Sequence, residues 1–150
     1  MSPSRKHNRR RARRGSVLIE QVTLLALLGI FAAITIRSGA RLIDSVHVHG
    51  AARAVADLIA LAREEAYATG ARTAVRFDVP ARRVVVHAGT DTIGRYDLGQ
   101  HDDVQLDSSR DSIAYAPSGL GYGAANTRVI LSKGASAETL TVSRLGRVKR

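Results

Sequence analysis

Apolar positions along this 150-residue chain follow three successive patterns, and each predicts a different environment. From Val17 to Ile36 the chain is almost uninterruptedly apolar, with Glu20 as the single charged residue. At about 1.5 Å per residue, a helix of that length spans the ~30 Å hydrocarbon layer of a bilayer. From Ala51 the pattern changes. Ala51, Val55, Leu58, Ala62, Ala66 and Thr69 recur at steps of three and four, while Arg53, Asp57, Ala60 and Glu64 fall on the opposite face. That is the period of an amphipathic helix. No proline lies between Ile36 and Ala51, so one long helix from about Val17 to Thr69 is predicted, with Gly70 as its stop and Gly39 and Gly50 as points where it can bend. Such a helix is roughly 80 Å long, far more than a membrane needs, so its second half has to pack against something soluble.

Beyond Gly70 the pattern shortens to strands. Segments rich in β-branched residues run over 73–77, 83–87, 92–96, 112–115, 127–131 and 139–143, separated by turn formers such as Val79-Pro80, Gly89-Thr90-Asp91 and Lys133-Gly134-Ala135. A long helix followed by strands predicts an α+β fold in which an antiparallel sheet covers the helix's apolar face.

Charge changes this picture chiefly at the N-terminus. Residues 1–14 hold seven of the 23 basic residues and none of the 13 acids, so most of the net charge of +10 sits in a basic leader. Lysine and arginine beside an apolar span are retained in the cytoplasm, which predicts an N-in, C-out topology with the remaining ~110 residues across the membrane. The apolar core is longer than that of an ordinary secretory signal, and Arg37 and Arg41 flank the small residues Ser38, Gly39 and Ala40, which makes a poor cleavage site of the Ala-x-Ala kind.

Glu20 needs an explanation, because an acid at the centre of a membrane helix costs about 2.5–3.5 kcal/mol and normally has a partner. If the chain is cut after Gly15, the new α-amine of Ser16 lies four residues before Glu20 and could neutralise it, in the same chain or in a neighbouring copy. The alternative is an acid near the interface of a simple signal anchor that snorkels to water.

The basic leader, Gly15, the short run ending in Glu20 and the continuous apolar helix resemble the class III signal of type IV pilins and type II secretion pseudopilins. In that family a membrane-embedded aspartyl prepilin peptidase cuts after the glycine on the cytoplasmic side, and the new amino terminus is methylated. The resemblance implies cleavage between Gly15 and Ser16, N-methylation of Ser16, and a role for Glu20 in assembly and filament register. Ser16 stands where the family usually has a large apolar residue, and the proline often found part-way along the helix is absent. The implied division is a leader over 1–15, a transmembrane and assembly half-helix over 16–37, an amphipathic half over 38–70 and a β-rich periplasmic head over 71–150. The implied partners are prepilin peptidase, other pilins or pseudopilins, the inner-membrane assembly platform and the inner membrane itself.

The C-terminal half narrows the resemblance. An aromatic strand before Pro117-Ser118-Gly119, a glycine-rich loop, the strand Arg128-Val129-Ile130-Leu131, and Leu140-Thr141-Val142-Ser143 before Gly146-Arg147-Val148 look like the H-type minor pseudopilins and their FimT relatives. The function this implies is that of a minor structural subunit in a periplasmic pseudopilus or pilus. FimT-type proteins of natural transformation are thought to bind DNA through a basic C-terminal region, and here Arg144, Arg147, Lys149 and Arg150 supply four charges in seven residues. DNA binding is therefore the alternative function, opposed by the weak and salt-sensitive affinity that so few charges give and by the option of a solvated basic end.

Other chemistry is sparse. The absence of cysteine excludes disulfides, thiolate metal sites and a thiol nucleophile, and six aromatic residues without tryptophan make a large aromatic surface unlikely on composition. Gly119, Gly121 and Gly123 precede a strand rather than a helix, so they read as a flexible surface loop and not a phosphate loop, with Leu120 and Tyr122 exposed as a contact surface. His47 and His49 are two apart on a helix, point to different faces, and are expected to be solvated. His101-Asp102-Asp103 lies in an acid-rich stretch without EF-hand spacing and is expected to be a solvated loop. No nucleophile elbow and no His-Glu-x-x-His helix is present. The chain is therefore expected to have no catalytic residues, no metal and no cofactor, against a competing reading as a signal-anchored periplasmic enzyme.

Overall fold

The computed structural model describes residues 9–122, 126–143 and 145–150, and the side chains within it except those of 9–16 and 35–38. The first element, α1, runs Arg9–Thr69 and ends where Gly70 adopts φ +64°, a left-handed conformation that glycine takes without Cβ strain. The backbone divides into two compact units between Ala40 and Arg41.

In the first unit, Val17, Leu18, Ile19, Val22, Leu24, Leu25, Leu27, Leu28, Ile30, Phe31 and Ile34 are all 49–71% exposed. Among the described residues, this is the helical stretch long and apolar enough to cross a membrane. Within it the Thr23 hydroxyl donates to the Ile19 carbonyl at 2.6 Å, satisfying a polar group inside the apolar run.

The second unit is the α+β head. Its strands are β1 (Thr73–Asp78), β2 (Arg83–Ala88), β3 (Asp91–Asp97), β4 (Gln105–Ser108), β5 (Ser112–Tyr115), β6 (Gly121–Tyr122), β7 (Thr127–Lys133), β8 (Ser136–Val142) and β9 (Val148–Lys149), with a one-turn α2 (Leu98–His101) after β3. They form two antiparallel sheets rather than one. The first has the order β3-β2-β1-β5-β6 and the second β4-β7-β8-β9. All six segments expected from the sequence are strands, β8 beginning at Ser136 instead of 139. Strands β4, β6 and β9 are additional.

Alternation in β1 and β7 turns Val75, Phe77, Val129 and Leu131 inward, and these meet Ile113, Tyr115, Leu140 and Val142 around α1. The helix contributes Val48, Ala51, Ala52, Val55, Ile59, Ala62 and Ala66, every one at most 1% exposed. Four of these seven are alanine. Leu58, expected on the buried face, is only partly buried, and the core position belongs to Ile59, one residue on; Thr69 is exposed and its hydroxyl donates to Glu65 O at 2.7 Å. The cause is that the stripe follows the 3.6-residue period from Val48 and ends at Ala66, so the last turn lies past the core. The buried Thr73 hydroxyl of β1 donates to the Ala62 carbonyl and ties the sheet to the helix. At Gly94 of β3 a Cβ would lie 2.8 Å from Leu58 Cδ2, so a larger residue there would displace that side chain.

Candidate functional site: the helix anchor and the head surfaces

Of the residues expected to direct processing, Gly15 and Ser16 lie within the backbone of α1, their side chains and residues 1–8 being outside the described part. Glu20 is exposed, with Val17, Leu18, Ile19 and Leu24 exposed around it. A carboxylate on an apolar surface of this kind is stabilised by a cation or donor from another molecule once the surface is covered.

On the head, two groups expected to be solvated are instead held in polar networks. Asp102 accepts from the Tyr96 hydroxyl and pairs with His47 Nδ1 at 3.2 Å, while its carbonyl accepts from Lys133 Nζ at 2.6 Å. His47 is thus half-buried against the head. Asp97 accepts from Arg83 Nε at 2.9 Å and from Arg95 Nε at 2.9 Å, and Asp103 accepts from Arg82 Nη1 at 2.9 Å. Within the acid-rich stretch, Asp97 is thus met by arginines of β2 and β3 and Asp103 by Arg82, just before β2. His49 is exposed, as expected, with Nε2 3.7 Å from Glu138 Oε2.

The arginines act on Asp97 directly: hydrogen bonds from Arg83 and then Arg95 hold its carboxyl below the usual carboxylate range. Burial, reinforced by the hydrogen bond and charge of Asp102, pushes the Tyr96 phenol up to about 12. Tyr115 is pushed up to about 12 by burial, with Arg63 opposing, and its hydroxyl is buried with no hydrogen-bond partner among the described residues. Among the described residues there is no group of three or more histidines or carboxylates placed to hold a metal.

The C-terminal motifs form a repeated device that the sequence reading did not single out. After β5, Gly119 N donates to Ala116 O at 2.8 Å and Ala116 N to Leu120 O at 2.9 Å; after β8, Gly146 N donates to Ser143 O at 2.9 Å and Ser143 N to Arg147 O at 2.9 Å. Both glycines have φ +74°. Each hook leads into a two-residue edge strand, β6 or β9, and the hooks meet, with Gly119 O 3.6 Å from where a Cβ on Gly146 would be. The sequence signal was available: each glycine stands four residues after its strand ends. Leu120 and Tyr122 are exposed as expected, and Arg72 lies over the Tyr122 ring at 5.1 Å. Gly121 belongs to β6, and Gly123 lies outside the described residues.

Of the four basic C-terminal residues, Arg144 lies outside the described residues. Arg147 closes the second hook, Lys149 sits in β9 opposite Thr141, and Arg150 Nε is 3.5 Å from Glu138 Oε1. The described end is therefore an edge strand and not a free tail.

One long N-terminal helix whose second half is enclosed by antiparallel sheets defines a pilin-like structural protein. The type IV minor pilin FimU of Pseudomonas aeruginosa shares this fold at a TM-score of 0.58 and 13% identity, over 68% of this chain and 86% of that one. The minor pseudopilin EpsH from the Type 2 Secretion System of Vibrio cholerae shares it at 0.54 and 18%, over 69% and 94%. No curated protein sequence matches significantly. Residues 51–146 match the family model of the Type II transport protein GspH. The chain belongs to that family, and its class of role is that of a minor pseudopilin-type structural subunit.

Proposed function

We propose that this protein is a minor pseudopilin that is anchored in the bacterial inner membrane by the first half of α1, presents its head to the periplasm, and joins other pseudopilins in a type II secretion pseudopilus. The observation that carries this reading is the combination of a GspH-type head with an exposed apolar helix bearing one carboxylate, Glu20. In this reading prepilin peptidase cuts between Gly15 and Ser16, the Ser16 amine is methylated, and Glu20 meets the Ser16 amine of a neighbouring subunit as the helix leaves lipid. That contact exchanges an uncompensated acid in hydrocarbon for an ion pair, which favours one helix register over others. The structural role needs no active site, and the head's ionised groups fit it by fastening loops to one another.

Mass spectrometry of the N-terminus from cells that contain the peptidase tests processing: N-methylated Ser16 is expected, and an intact leader would overturn the reading. Glu20→Ala is expected to insert normally and to be depleted from sheared filaments. Binding of DNA through Arg144, Arg147, Lys149 and Arg150 is less favoured, because Arg150 lies beside Glu138 and Lys149 is part of β9.

A further inference from the structure

A groove of about 780 Å³ runs along the head between the later turns of α1 and the two hooks. The helix side is formed by Ala56, Asp57, Ala60, Arg63, Glu64 and Tyr67, and the opposite wall by Gly119, Gly146, Arg147 and Val148 with Ser118. On the helix side Ala56 and Ala60 carry only a methyl group, which leaves room for another chain there, whereas Gly119 and Gly146 are already faced by Arg63 and Tyr115. The large apolar side chains left exposed nearby are Tyr67 at 75% on the helix, and Leu120 and Leu145 on the two hooks.

The charges decide what can fill it. Asp57, Arg63, Glu64 and Arg147 make no ion pair and no side-chain hydrogen bond among the described residues. Elsewhere on the head Asp97, Asp102, Asp103 and Glu138 are paired, while Arg53, Asp107 and Arg128 are, like the groove residues, without an ion pair among the described residues. Asp57 and Glu64 offset Arg63 and Arg147, so the groove has no net positive charge to hold a polyanion such as nucleic acid. A protein segment that carries both signs satisfies all four groups. Its shape is also indicated: β9 has a strand on one side only and borders the groove through Val148, an arrangement that accepts an added extended segment.

We propose that this groove is a docking site for an extended segment of a partner protein in which an acidic and a basic residue flank an apolar one. The acid meets Arg63 and Arg147, the base meets Asp57 and Glu64, and the apolar residue packs between Tyr67 and Leu145. This surface lies on the head and is independent of the Glu20 contact.

The test uses the full chain in lipid nanodiscs and a displayed library of random heptapeptides as the probe. Enrichment of peptides that contain both an acid and a base is expected, with binding at least tenfold weaker to Ala60→Trp, which fills the groove from an exposed helix position, and to Arg147→Glu. Circular dichroism confirms that both variants stay folded. The paired variant Glu64→Lys with Arg63→Glu should retain binding of mixed-charge peptides and select different sequences. Failure to enrich any peptide whose binding depends on Ala60 and Arg147 overturns the proposal, as does enrichment of peptides of one sign only. Displacement of the selected peptides by a 20-base-pair duplex at equal concentration would also overturn it in favour of a nucleic-acid surface. Peptide binding needs no filament, so a negative result here leaves the assembly reading intact, and failed assembly of Glu20→Ala leaves this one intact.

Discussion

Two stretches of the same helix, residues 17–34 and 48–66, are both apolar, yet they answer to different solvents. The first uses leucine, isoleucine, valine and phenylalanine all round, and its large side chains are at least 49% exposed. The second confines its apolar residues to one stripe, four of the seven being alanine, and buries them almost completely. Bulk on every side suits hydrocarbon, whereas a stripe of mainly small residues on one side suits burial beneath two sheets. Amount of apolar surface does not separate the two; side-chain size and angular spread do.

The strongest way to break this comparison is to truncate one residue in each stretch. Ile59→Ala is expected to destabilise the head by about 2–5 kcal/mol, from lost transfer energy and a residual cavity. Leu24→Ala should leave head unfolding unchanged, and urea denaturation of the detergent-solubilised chain followed by circular dichroism reads both. If Leu24→Ala destabilises the head equally, the two stretches do not have separate roles. Next in size, Leu25→Arg should raise the cost of membrane insertion by about 2.5–3.5 kcal/mol, seen as loss from the membrane fraction in a translocation reporter. An arginine at Ala60, on the exposed face of the second stretch, should insert normally.

Within the head, Gly146→Ala is expected to cost about 1–3 kcal/mol, because its Cβ would lie 2.6 Å from Tyr115 Cε1 on a backbone at φ +74°. Thermal melting measures it, and an unchanged melting temperature would show that the hook yields.

The pH dependence attributable to these groups is confined to the head. Asp97 has its pKa lowered on folding, so its contribution is present above the unfolded value of about 3.9 and is lost as pH falls below that through the folded value. Asp97→Asn should flatten this acid limb in a stability-against-pH series. At the other end, Tyr96 and Tyr115 are raised to about 12, so stability is intact below the unfolded value of about 10 and lost as pH rises from there towards 12. The smallest effect is expected of Tyr115→Phe, which removes a buried hydroxyl without a partner; stability at neutral pH should be unchanged or about 1 kcal/mol higher, and part of the alkaline loss should disappear.

The long helix, its stop at Gly70 and six strands were legible because each is encoded locally, by period or by a run of β-branched residues. Strand β4 was not, since Leu106 is its single buried residue and pairing with β7 makes it a strand. Strands β6 and β9 are two residues long and exist because the hooks fold back. The same limit governed the polar groups. Asp97 reads as one acid among many until the β2–β3 pairing sets Arg83 opposite it, and nothing near His47 in the chain announces Asp102. The family resemblance identified the hook sequences, but their mutual contact and the groove beside them depend on packing between two sheets. Glu20 was legible as an anomaly, because a lone acid in an apolar run stands out without any fold.

The crossing of β4 has a consequence for the order of folding. The hairpins β1–β2, β2–β3 and β7–β8 close over short turns, and each can form early from neighbouring residues. Strand β4 leaves the first sheet's sequence and pairs Leu106 with Leu131, so that ladder closes a loop containing β5, β6 and both ends of the first hook. Its closure entropy exceeds that of the three hairpins, as does that of the longer loop closed by β1 and β5, so both ladders are expected to form after the hairpins. Until β4 docks, that edge of β7 has no strand partner and is open to pairing with another chain.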